Sequence, residues 1–183
     1  MNLRLVNMQL QLLQTDLHDR QGFDCGVLEV NEFLHKHARR QMEQRINRTW
    51  VLTTQGAEPS AELVPLLGFF TLTHCSILRS EMPPETTSNR YPRYPLPVIK
   101  LALIGVQSEH QRGALRIGET LLLEALLTAR QIVMRTGLGI AVITDPLTDK
   151  SEQFFLKYGF QRMQREFGQR RTLFLPVKTL QSL

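Results

Sequence analysis

The stretch Leu101-Ala102-Leu103-Ile104-Gly105-Val106-Gln107-Ser108-Glu109-His110-Gln111-Arg112-Gly113-Ala114-Leu115-Arg116-Ile117-Gly118 decides how the rest of the chain is read. An apolar run of strand length comes first, then a polar turn with two arginines, then a leucine-rich run of helical period. A buried strand therefore feeds a loop that opens a helix. The first N–H groups of such a helix have no partner within it and sit at the positive end of its dipole. With Arg112 and Arg116 beside them they form a receiver for an anionic group, and a pyrophosphate is the obvious guest. Glycine-bearing turns of this kind are also common punctuation between strand and helix, so the rest of the chain has to decide.

Downstream, Leu122, Ala125 or Leu126, Ala129, Ile132 and Val133 recur at helical spacing, and Gly137 and Gly139 end a helix expected from about Ile117 to Arg135. Ile140-Ala141-Val142-Ile143-Thr144 reads as a buried strand. A second helix from about Asp149 to Tyr158 stops at Gly159, and Arg171 to Val177 closes the chain as a strand. Strand, helix, strand, helix, strand predicts an α/β architecture around a central sheet.

Upstream, residues 81–97 carry prolines at 83, 84, 92, 95 and 97 and are expected to be an ordered loop, since proline removes donors and keeps its predecessor out of the helical region. Thr49 to Thr54 and Leu66 to Leu72 read as a hairpin across the turn residues 55–61. A helix beginning at Val30 places Phe33, Leu34, Ala38 and Met42 about a turn apart, and its other face carries Lys36, Arg39, Arg40, Arg45 and Arg48 against Glu43. That face is either plainly solvated or a surface for RNA phosphates. Leu3 to Val6 and Leu10 to Leu13 alternate and can open the sheet or lie on the core.

The chain of 183 residues is long enough for one well-buried domain, and without repeats it is expected to be a single domain over 1–183. Lys and Arg outnumber Asp and Glu by 22 to 17, with a pI near 9.6, a modest excess that suits an anionic ligand better than the coating of DNA. Cys25 and Cys75 stand fifty residues apart with no histidine cluster, which argues against a disulfide framework and a metal site. No signal peptide is visible and no apolar run approaches about 18 residues, so no membrane association and a cytoplasmic location are expected.

Three separated segments resemble one group of proteins. They are Gly22-Phe23-Asp24-Cys25-Gly26 with Asn31-Glu32-Phe33-Leu34, then Leu67-Gly68-Phe69-Phe70-Thr71-Leu72, then Phe154-Phe155-Leu156-Lys157-Tyr158-Gly159-Phe160. The group is the GNAT superfamily of acyl-CoA-dependent N-acyltransferases, and within it the toxins of type II toxin–antitoxin pairs that acetylate aminoacyl-tRNA. The similarity runs from about residue 18 to about residue 177.

This resemblance implies a mixed, mostly antiparallel sheet splayed at its middle with flanking helices, and acetyl-CoA as cofactor. It implies that Ile104, Gly105 and Val106 pair with the pantetheine arm, with the Val106 N–H toward the thioester oxygen, and that Gln111, Arg112, Gly113, Ala114, Arg116, Ile117 and Gly118 hold the pyrophosphate. It further implies an aminoacyl-tRNA substrate, bound through Lys36, Arg39, Arg40, Arg45, Arg48 and Arg93 with Arg79 and Arg90 nearby, a ribbon-helix-helix antitoxin, and a homodimer. The family's pyrophosphate loop reads Gln or Arg, two residues, Gly, one residue, Gly or Ala. Matching Gly118 without a gap puts Arg116 at the first glycine, whereas matching Gln111 needs two extra residues. Arg116 would then either block the close approach or reach a phosphate itself.

Phe155 stands where these toxins carry the tyrosine credited with protonating the leaving thiolate. An α-amine has a pKa near 8, so a neutral fraction is present without a strong base. Positioning and the Val106 N–H supply much of the expected rate, and a missing general acid costs on the order of 10² to 10⁴. Tyr158, a turn beyond Phe155, is either the replacement donor or packing for the Gly159-Phe160 helix end. Cys75 has no positioned histidine, since His74 points to the other face of its strand. Two other readings stand beside the toxin: a degenerate module that binds CoA or a protein without efficient catalysis, and an enzyme acetylating a small amine or a protein N-terminus.

Overall fold

The apolar run that precedes the arginine-bearing loop forms a long strand, and a computed structural model gives the order of elements around it. These are β1 (Met8–Leu12), β2 (His18–Asp19), α1 (Leu28–Glu32), α2 (Ala38–Glu43), β3 (Arg48–Thr54), β4 (Val64–Pro65), β5 (Gly68–Ile77), β6 (Leu96–Val106), α3 (Ile117–Thr136), β7 (Ala141–Thr144), α4 (Asp149–Lys157), β8 (Gln161–Phe167), β9 (Arg170–Pro176) and α5 (Val177–Leu180). Residues 8–54, 63–86, 91–167 and 170–180 are described, with the backbone alone at 165–167 and 170. The expected strand at Leu3 to Val6, the turn residues 55–61 and Arg90 lie outside them.

Among the described residues seven strands form one sheet in the order β1-β3-β5-β6-β7-β9-β8, and β2 pairs with β4 in a separate ribbon. The β1·β3, β7·β9 and β8·β9 pairs are antiparallel, and β6·β7 is parallel. This is the mixed, mostly antiparallel sheet that the resemblance implies. Strand β6 is in register with β7 only from Ile99 against Val142 to Leu101 against Thr144. There β7 ends, while β6 continues to Val106.

The chain divides into two compact units, residues 1–71 with 103–125 and residues 72–102 with 126–183. In the first unit Phe23 meets Phe69 edge-on at 5.2 Å and Trp50 stacks on Phe70 at 5.3 Å. Gly68 permits this packing because a Cβ there would meet Leu121 Cδ1 at 2.5 Å and the Gly105 carbonyl oxygen at 2.7 Å. In the second unit Ile77, Met82, Val98, Ile143, Met163 and Phe174 form a buried cluster. A half-buried pair in the same unit, Lys100 to Asp145 at 2.5 Å, is completed by the Thr172 hydroxyl donating to Asp145 at 2.6 Å.

Several expectations are corrected. Strand β6 begins at Leu96, inside the proline-bearing stretch, so the ordered loop is shorter than the expected 81–97; Pro97 is tolerated near the strand end, where its carbonyl still accepts the Ile140 N–H at 3.0 Å. The helix expected from Val30 starts at Leu28 and is interrupted by a π turn over Phe33–His37, in which the Ala38 N–H reaches back to the Phe33 carbonyl. Strand β8 and the short α5 were not expected at all.

Candidate functional site

Phe23-Asp24-Cys25-Gly26 is tied to the loop after β6 by a set of long-range bonds. The Asp24 N–H donates to Gln107 Oε1 at 2.8 Å, and the Asp24 carbonyl accepts from the Ser108 N–H at 2.8 Å and the Ser108 hydroxyl at 2.9 Å. Gln111 Nε2 donates to the Cys25 carbonyl at 2.6 Å and to the Val106 carbonyl at 3.1 Å. The Asp24 carboxylate closes its own side by accepting from the Gly26 N–H at 2.8 Å and Asn31 Nδ2 at 2.6 Å. Those two donors, the Gly26 amide foremost, hold Asp24 below the ordinary carboxylate range. Asn31 Oδ1 in turn accepts from the Cys25 N–H at 3.0 Å, and burial pushes the Cys25 thiol up, so Cys25 is a packed and inert side chain. The Gly22–Gly26 and Asn31 signature thus acts as a clasp on the loop that leads to α3. Sequence reading missed Gln107 and Ser108 in this role; their only local signal is two polar residues directly after a buried strand.

The clasp fixes where the anion-receiving turn begins. A 3₁₀ turn spans Ser108–His110, the Gly113 N–H bonds the His110 carbonyl at 3.4 Å and the Arg116 N–H the Gly113 carbonyl at 3.3 Å. Arg116 then adopts φ +47°, the left-handed region, and its carbonyl accepts from the N–H groups of Glu119 and Thr120. Glycine takes that backbone freely and other residues rarely do. Arg116 therefore holds a backbone conformation that a glycine would take without strain. Its guanidinium is exposed and bonds Glu119 at 3.2 Å on the same helix turn, while Arg112 is exposed with no ion pair among the described residues. Gln111 faces the clasp with its amide. Gly105 is buried, and Ile104 and Val106 are half-buried on the part of β6 beyond its register with β7.

In the other unit, α4 opens with a capping box in which Thr148 and Ser151 bond each other's backbone N–H, both at 3.0 Å. Phe155 is 2% exposed, with Phe160 and Phe154 against it at 5.4 and 5.5 Å. Tyr158 caps the helix, half-buried, its ring 5.0 Å from Phe154 and 5.4 Å from the Lys157 ammonium. Cys75 packs beside the second unit's cluster and His74 lies on the exposed face of β5, as their alternation predicted.

The five cations expected on one helix face are all exposed but do not share an element: Lys36 lies in the π turn, Arg39 and Arg40 on α2, Arg45 beyond its C-terminal end and Arg48 at the start of β3. Lys36 is bridged to Glu32 at 2.6 Å and Arg39 to Glu43 at 2.8 Å, whereas Arg40, Arg45 and Arg48 have no such partner among the described residues. The π turn is braced from outside: Arg20 donates to the carbonyls of Leu34 and His35, Gln21 donates to His35 at 3.2 Å, and His35 Nε2 donates to the Phe23 carbonyl at 2.8 Å. An open cavity of about 310 Å³ beside α2 mixes Arg39 and Arg48 with Asp16 and Glu43, so its charges offset one another. Arg93 is exposed in the second unit. Among the described residues no group of His, Cys, Asp or Glu is arranged to hold a metal ion, and no helix is long and apolar enough to cross a membrane.

No protein-family profile matches the chain. A protein of Sinorhizobium fredii (strain NBRC 101917 / NGR234) named "Probable toxin TacT" is 23% identical over 180 residues, 95% of this chain and 93% of the relative. The structure of AtaT complexed with acetyl-methionyl-tRNAfMet superposes with a TM-score of 0.80 at 24% identity, covering 96% of this chain and 98% of AtaT. A Tyr-to-Phe mutant of AtaT bound to the C-terminus of the antitoxin AtaR and acetyl-CoA gives a TM-score of 0.74 at 23% identity over 96% of each chain. A seven-stranded, mostly antiparallel sheet matched along nearly its full length by these toxins gives this chain the GNAT fold.

Proposed function

We propose that this protein is an acetyl-CoA-dependent N-acetyltransferase that acetylates the α-amine of an amino acid esterified to tRNA, stops translation by doing so, and is neutralised by a ribbon-helix-helix antitoxin in the cytoplasm. The observation that carries this reading is the near-complete superposition on AtaT holding acetyl-methionyl-tRNA. The residues fit the coenzyme: the turn before α3 keeps a glycine-type backbone at Arg116, and Arg112 is an exposed cation without an ion pair among the described residues. In this reading the amides of Ile117 and Gly118 with Arg112 hold the pyrophosphate, Gln111 and the clasp fix the loop, Ile104 to Val106 align the pantetheine arm, and the Val106 N–H faces the acyl oxygen. Acetyl-CoA supplies an acetyl group activated as a thioester. Tyr158 is the hydroxyl assigned to the leaving sulfur, and Lys36, Arg39, Arg40, Arg45, Arg48 and Arg93 serve the RNA. We read the chain as one catalytic domain that works as a homodimer.

Incubating the purified protein with labelled acetyl-CoA and charged tRNA tests the proposal directly; no transfer above a protein-free control excludes it. Phe155 favours a second reading, a module that binds CoA without efficient turnover, because its buried aromatic surroundings hold no hydroxyl at that position. The AtaT structure with acetyl-CoA and antitoxin itself carries a Tyr-to-Phe substitution, so in that toxin one hydroxyl can be lost with coenzyme binding retained. The second reading expects CoA binding by calorimetry and no toxicity on expression.

A further inference from the structure

Ahead of β6 the chain carries Tyr91-Pro92-Arg93-Tyr94-Pro95. Tyr91 packs against the cluster of Ile77, Met82, Leu96 and Val98, and its carbonyl accepts from the Arg79 guanidinium at 3.2 Å. Each tyrosine precedes a proline, which confines its backbone to extended conformations, and each proline fixes its own φ. The backbone beneath Tyr94 is therefore set before any ligand arrives. Yet the Tyr94 side chain is 68% exposed, and neither it nor the exposed Arg93 has a hydrogen bond, ion pair or ring contact among the described residues.

A ring held out in water on a proline-bracketed segment, with a permanently charged guanidinium on the preceding residue, has the chemistry to stack an unpaired nucleobase and meet its phosphate. Paired bases offer no face, since they are stacked within their helix. We propose that Tyr94 is a stacking shelf for an unpaired nucleotide at the 3′ end of the tRNA, with Arg93 on the adjoining phosphate. This rests on the tRNA reading above and adds to it the part of the RNA that is gripped. The chain's net charge of +5 favours RNA over an apolar protein partner as the occupant.

The test uses the full-length protein and two RNAs in fluorescence anisotropy: an uncharged tRNA, and the same tRNA trimmed of its unpaired 3′ nucleotides. The wild type is expected to bind the intact RNA on the order of tenfold more tightly. Tyr94→Ala brings the intact RNA down to the trimmed level and leaves the trimmed RNA unchanged, while Tyr94→Phe behaves as wild type; circular dichroism checks that both are folded. Unchanged affinity of Tyr94→Ala for intact tRNA overturns the shelf and leaves the loop to a protein partner, and an equal loss for both RNAs overturns it as well. Acetyl transfer by the wild type separates the two proposals. Transfer with an unmoved Tyr94→Ala affinity sinks the shelf alone, and no transfer sinks the tRNA reading whatever Tyr94 does.

Discussion

Arg116 holds φ +47°, a region where a Cβ costs about 1–2 kcal/mol. Replacing it by glycine removes that cost and returns part of it through the freer unfolded chain. Arg116→Gly is expected to be more stable than Arg116→Ala by about 1 kcal/mol, read as the separation of their urea midpoints. Because the Arg116 guanidinium is tied to Glu119, Arg112→Ala should raise the KM for acetyl-CoA more than Arg116→Ala does. A few residues away in chemistry stands the missing hydroxyl. Tyr158→Phe is expected to lower kcat on the order of 10² with KM held, as loss of a general acid does. Phe155→Tyr in that background should restore it, at a stability cost of about 1–3 kcal/mol if the buried hydroxyl finds no partner. A kcat for Tyr158→Phe equal to wild type returns Tyr158 to packing against Phe154.

Among the elements, β5 and β6 approach as closely as they do because Gly68 has no side chain. Gly68→Ala would set a methyl 2.5 Å from Leu121 and 2.7 Å from backbone oxygen, and overpacking of this kind costs about 1–3 kcal/mol. Gly105→Ala meets only side chains, at 3.0 to 3.2 Å, and is expected to lower the thermal midpoint less. The clasp is sensitive to acid. Asp24 is depressed by its bonds to the Gly26 amide and Asn31, so its contribution is complete above the ordinary carboxylate pKa and is lost as pH falls through its lower folded value. The wild type's stability advantage over Asp24→Asn is therefore expected to be flat near neutrality and to shrink at strongly acid pH, in a series of denaturant titrations. The strand β6, the loop and α3 were legible because Leu122, Ala125 or Leu126, Ala129, Ile132 and Val133 repeat a helical stripe, all of it buried except the half-buried Ile132. Strand β8 was not, since Gln161-Arg162-Met163-Gln164-Arg165-Glu166-Phe167 pairs only with β9 at the sheet's end and needs little apolar patterning. The bonds from Asp24 to Gln107 and Ser108 span 83 and 84 residues, and no local pattern announces a partner at that distance.

For the molecule as a whole, a net charge of +5 is spread over 22 basic and 17 acidic side chains, so RNA affinity depends on where cations stand unneutralised. Binding to tRNA should weaken with salt, and the triple substitution of Arg40, Arg45 and Arg48 by alanine is expected to reduce the slope of log K against log salt by about two to three. A slope unchanged by that variant would move the RNA footprint elsewhere. The basic face was readable as a list of residues, but which arginines lack partners was not: Glu32 and Glu43 neutralise two of the five only once the helix is built. The wide turn at Phe33–His37 has a last consequence. Each residue of an ordinary helix advances the side chains by about 100°, and the wide turn takes up one residue more than an ordinary turn, so that Ala38 is still buried and Arg39 and Arg40 exposed beyond it. A relative one residue shorter at this point would close an ordinary helical turn and still send Ala38 to the interior, so a one-residue difference in length is expected to be absorbed here and not in the turns on either side.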